Sequence, residues 1–169
     1  VPFSYYGRLS AAQQAVYRRS DAVTAVRLRG PEALRPLAAE LAASLDRDDR
    51  AATASVCGRL VAAIAADLGV PSAQVQVLAV RPTLRWGELH GLYTNDGPPR
   101  IQVWMRTARH RRVVAFRTFL RTLLHELCHH LDYVQLRLAD SYHTEGFFKR
   151  ESSLFHQLVP RDAAPPGGP

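Results

Sequence analysis

Cysteine is nearly missing from this chain: Cys57 and Cys128 are the two in 169 residues. Two cysteines make no disulfide framework, and their scarcity fits a reducing, cytoplasmic setting. Lysine is scarcer still, with Lys149 the one lysine among 22 basic residues. No apolar run is read as approaching the roughly 20 residues that span a bilayer, so no membrane partner is expected. No signal peptide is visible, although Val1 is not a natural start. Internal repeats are lacking, and the one biased tract is the proline- and glycine-rich stretch 160–169, expected to be a disordered tail.

What remains is an ordinary globular composition, 47% hydrophobic and 22% charged. The length suits one domain, 1–159, with enough chain to bury a core. The net charge of +7 makes anionic partners plausible. Arginine and alanine are abundant together, which codon composition alone can produce, so the charge is not by itself a nucleic-acid signature.

The chemistry is concentrated at His125-Glu126-Leu127-Cys128-His129, an H-E-x-x-H stretch. Histidines four apart on a helix share one face, so both imidazoles can reach one metal ion. The glutamate between them projects beside the metal and can take a proton from water there. Phe116, Leu120, Leu123, Leu127, Leu131, Val134 and Leu138 are spaced 4, 3, 4, 4, 3 and 4, which predicts a helix from Phe116 to Leu138. Its apolar stripe centres on Leu127, leaving His125 and His129 on the other side with Thr118 and Thr122. Cys128 lies on the flank nearer the core and reads as a small apolar residue. His130 points about 100° away from the pair and is not read as a ligand.

Along the chain, Phe3, Tyr5 and Tyr6 form an aromatic arm, and Ser10 with Gln13 is a capping-box signature opening a helix from Ala11 to about Leu28. Pro31 starts a second helix, and Asp48 or Asp49 caps a third that Gly69 and Pro71 stop. Residues 1–50 are thus a helical N-terminal extension. Val75 to Val80 alternates like a strand, Glu88 to Tyr93 is a shorter candidate, and Ile101 to Met105 is a third, paired with the second around the turn 95–99. A last helix is expected over Gly146 to Leu158.

A catalytic zinc takes three protein ligands and keeps a position for water. The third must come from beyond the helix. His143, Glu145, Glu151 and His156 are the downstream candidates. His143 follows the turn directly and is preferred, with Glu151 next and Glu145 after it. His156 is read as a surface residue.

These residues carry a resemblance. The motif, followed by His143-Thr144-Glu145-Gly146-Phe147, is similar to SprT-like, or Spartan-type, zinc metallopeptidases, in which a third histidine stands four before a phenylalanine. The likeness covers roughly Ala51 to Val159. Thr144 stands where that family usually has glycine, Glu145 is displaced by one position, and no zinc-ribbon cysteines follow. The resemblance implies one zinc per chain on His125, His129 and His143, Glu126 as catalytic base, a zincin-like α+β fold, and protein substrates that can be DNA-bound.

Other residues have candidate roles. Asp132 could orient a ligand histidine. Tyr93, Tyr133 and Tyr142 are candidate oxyanion donors. Arg109, Arg111 and Arg112 could contact DNA phosphates, though a solvated basic loop is the preferred reading of this charge run. The strand Ile101–Met105 could receive an extended peptide if it is the sheet edge beside the cleft. The expected function is zinc-dependent peptide hydrolysis with Glu126 as general base. The alternative is a catalytically silent zincin-fold module that binds DNA or a protein partner.

Overall fold

The computed structural model describes residues 1–161, so most of the expected tail lies outside the described residues. The protein is α+β. A 3-10 turn, Ser4–Arg8, leads to α1 (Ala11–Ala22), α2 (Pro31–Asp46) and α3 (Arg50–Leu68). The strands β1 (Gln74–Val80), β2 (Thr83–Leu84), β3 (Gly87–Glu88), β4 (Gly91–Thr94) and β5 (Arg100–Arg106) follow, then α4 (Phe116–Val134) and α5 (Glu145–Leu158).

Local chemistry explains most of these boundaries. Ser10 and Gln13 form the reciprocal capping box that starts α1. Asp49 accepts from Ala52 N to start α3, and Gly69 ends it at φ 68, where a Cβ would be strained. By length and composition α3 could cross a membrane, which the sequence reading missed. Here it is a core helix: Val56, Cys57, Leu60, Val61 and Ile64 are fully buried, against α2 on one side and β1 on the other.

Three expectations about secondary structure fail. The first helix stops at Ala22, well short of Leu28. The guanidinium of Arg150 donates to the carbonyls of Ser20 and Val23 at 2.5 and 2.6 Å. Val26 and Leu28 then lie outside any helix, with their amides held by Ser153 and Gln157 of α5. Polar side chains from a distant helix thus replace the helical ladder. The second failure is the 88–93 strand, which is split: β3 closes a small hairpin with β2, and β4 begins afresh at Gly91. The motif helix also ends early, at Val134, although Leu138 remains buried.

The main sheet has the order β1-β5-β4. β1 runs parallel to β5 and β4 antiparallel to it. Ile101, Val103 and Met105 face the helices and are buried to within 2%. The opposite face is more polar, with Gln102 donating to Gln76 across the strands at 2.9 Å. β5 is paired on both sides, so it cannot add a further strand. Of the two edge strands, β1 and β4, it is β4 that lies along α4. The expected docking role of Ile101–Met105 is therefore corrected: neighbours already satisfy its backbone.

Candidate metal centre

α4 turns its apolar stripe to the sheet and its polar face to a cleft beside β4. His125 and His129 stand on that face. After Val134 the chain reverses: Leu136 N donates to Leu131 O, Leu138 N donates to Asp132 O, and Arg137 takes a left-handed φ of 56. The returning loop delivers His143 directly before Thr144, the N-cap of α5.

The three imidazoles converge through Nε2. His143 Nε2 lies 3.1 Å from that of His125 and 3.0 Å from that of His129, and the three side chains form one group able to hold a metal ion. Tetrahedral ligands at roughly 2.0–2.1 Å from one ion would stand about 3.3 Å apart, so the observed spacing is close to that of a loaded site.

The backs of the rings are fixed as well. His125 Nδ1–H donates to Glu151 Oε1 at 2.8 Å. His129 Nδ1–H donates to Ser141 Oγ at 2.7 Å, and Ser141 donates in turn to Asp132 Oδ2 at 2.7 Å. A proton held on Nδ1 leaves the Nε2 lone pair free for an ion. The donor chemistry therefore fits a divalent metal. Burial, then the neighbouring histidines, lowers His129 to about 3 and also lowers His143. Both rings favour the neutral form that a metal requires.

Glu126 sits beside this point, 7% exposed. Burial raises its carboxyl to about 7, against the pull of His125 and the Tyr93 backbone amide. Its side chain lies under β4 at Gly91. A Cβ there would stand 2.9 Å from Glu126 Cγ and 2.9 Å from Thr122 Cγ2, so the strand can approach only as glycine. The cleft has two lobes of about 330 and 370 Å³ meeting at Gly91, His125 and Glu126. Thr118, Arg121, Thr122 and His90 line one lobe; Tyr93, Asn95, Tyr133 and Ser141 line the other.

Several assignments need correction. Glu151, the second choice for third ligand, turns its carboxylate to the back of His125. Glu145 is exposed on the first turn of α5 and pairs with Lys149 at 3.1 Å. Tyr142 lies outside both lobes. Its ring packs near Tyr17, and its hydroxyl is buried with no hydrogen-bond partner among the described residues. Tyr93 lines the cleft, but its hydroxyl donates to His130 Nδ1 at 2.9 Å, while His130 Nε2–H donates to the Pro71 carbonyl. His130 is thereby fully engaged in the core. Asp132 does support a motif histidine, though through Ser141. Arg109, Arg111 and Arg112 are exposed on the β5–α4 loop and line neither lobe.

Ser141 and Arg150 escaped the sequence reading. Arg150 is 1% exposed and donates to Asp132 Oδ1 at 3.0 Å, neutralising the carboxylate behind Ser141. Burial still pushes Asp132 up, against Arg150 and Ser141. A lone serine in a polar turn and an arginine in an amphipathic helix give no signal of such roles. Compared with protein-family models, curated proteins and solved structures, the chain finds no match.

Proposed function

We propose that this chain is a zinc metallopeptidase of the SprT-like kind with a zincin-like fold, hydrolysing peptide bonds in protein or peptide substrates. The observation that carries the reading is the meeting of the His125, His129 and His143 Nε2 atoms beside the Glu126 carboxyl. Three imidazoles suit zinc, and the fourth direction opens to the cleft. Zinc, when bound, supplies Lewis acidity, polarising a peptide carbonyl and making water acidic enough to lose its proton near neutral pH.

The chain's own residues supply the rest. Glu126 accepts a proton from the attacking water and returns one to the leaving amine. The free edge of β4 offers backbone donors and acceptors to an extended peptide, holding it across Glu126. Glu151 and the Ser141–Asp132 pair keep the imidazoles oriented.

The purified protein should hold about one zinc per chain. Glu126→Gln should keep that zinc and lose cleavage of an unfolded protein substrate, because an amide cannot take the proton. A wild type that cleaves no such substrate, or a Glu126→Gln variant as active as wild type, overturns the proposal.

A further inference from the structure

We propose that the N-terminal segment is part of the metal centre, with Tyr5 and Asp21 as positioning residues that hold His143 in place for the ion. The inference rests on reading His143 as a ligand. His125 and His129 sit within α4, where the helical backbone ladder fixes them. His143 has no such ladder, because it precedes the N-cap of α5. Its position depends on whatever ties down the loop around it.

Before it, Ser141 is held by α4; the ties at and after His143 come from the first two dozen residues. The Tyr5 hydroxyl donates to the His143 carbonyl at 2.6 Å. Ser20 Oγ shares a hydrogen bond with Thr144 Oγ1 at 3.1 Å. Asp21 Oδ1 accepts from the Gly146 amide at 2.9 Å. The ligand residue and two of the three that follow it are each held from this segment. Gly146 has no room for a Cβ, which would strike the carbonyl oxygens of Ser20 and Asp21. The end of α1 therefore abuts the start of α5 directly. Arg150 closes the same joint, reaching Ser20 and Val23 on one side and Asp132 on the other. Aromatic contacts extend it outward: Phe3 meets Phe148 edge-on at 6.4 Å, and Tyr17 lies 6.3 Å from Tyr142.

A bond to the His143 carbonyl and another to the Gly146 amide tie down the chain on the C-terminal side of His143. Without them the loop gains freedom, and the ion must order it on binding. Asp21 serves a second purpose, as an acceptor at the positive end of α5.

The test is zinc affinity by chelator competition, together with the visible absorption spectrum of the cobalt-substituted protein. The variants are Tyr5→Phe, Asp21→Ala, the two combined, and Asp21→Asn. Tyr5→Phe keeps the ring that packs on Tyr17 and loses only the hydroxyl, so folding is preserved. The combined variant should bind zinc about 10–100-fold more weakly, the range typical of outer-shell partners. Its cobalt spectrum should move toward that of His143→Ala. Asp21→Asn keeps an oxygen acceptor and should restore affinity. Wild-type affinity and spectrum in the combined variant, alongside loss of both in His143→Ala, overturns the positioning role while leaving the ligand assignment intact. A His143→Ala variant that binds zinc as tightly as wild type overturns the ligand assignment, and this inference with it.

Discussion

Gly91→Ala probes the joint between β4 and the proposed general base. The added methyl would lie 2.9 Å from Glu126 Cγ, 2.9 Å from Thr122 Cγ2 and 3.0 Å from Glu126 Oε1. Carbon atoms rest at about 3.5–4.0 Å, so the neighbours must yield by roughly 0.6–1 Å. Two responses are open. The Glu126 side chain can swing aside, taking its carboxyl from the point where the imidazoles meet. Alternatively β4 can lift from α4, at the cost of about 1–3 kcal/mol usual for overpacking. At about 2–4 °C per kcal/mol for a chain of this size, lifting lowers the melting temperature by roughly 2–12 °C. Either response misplaces Glu126 relative to a peptide held on β4, and an error near 1 Å can cost about 100-fold in rate. The three imidazoles are not among the nearest neighbours of the added methyl, so metal content should stay at the wild-type level. The assay combines metal analysis, a thermal melt and initial rates on an unfolded protein substrate. A variant with full rate and an unshifted melting temperature would refute the account of this contact.

Arg150→Ala removes the partner of a fully buried carboxylate and should cost about 3–5 kcal/mol in urea unfolding. Adding Asp132→Asn should recover part of that loss, and a single variant as stable as wild type would mean that the buried pair is not coupled. Ser141→Ala breaks the link between His129 and Asp132 and should weaken zinc binding about 10–100-fold with the fold retained; an unchanged dissociation constant would remove the relay.

The sequence was most legible where the controlling interactions are local. The four-residue spacing of His125 and His129, the Ser10 capping box and the Gly69 stop all depend on neighbours within a turn or so. His143, the proposed third ligand, was reached by its place after the turn and by resemblance, because a loop histidine fits no periodic pattern. Glu151 stood as the runner-up, and its place behind His125 was hidden, for a related reason. Residue type shows that a carboxylate can reach the site, but not whether it meets the ion or the back of a ring. Alternating hydrophobicity located β5 but could not tell a central strand from an edge, since one face is apolar in both. The end of α1 was illegible because Arg150, Ser153 and Gln157, over a hundred residues away, take its polar groups. Arg150 itself looks like a surface charge until the fold closes around it.

The joint between α1 and α5 also bears on how the chain is made. Asp21 and the amide it receives are 125 residues apart. At about 5–20 residues per second on the ribosome, that interval lasts roughly 6–25 s. Throughout it the nascent chain carries α1 with Ser20 and Asp21 unmatched. The two-histidine half of the metal centre emerges before His143 and Arg150. An ion captured during this interval would be held by an incomplete set. If the three histidines hold a metal as proposed, its full retention is deferred until the last helix has been synthesised and has docked on the first.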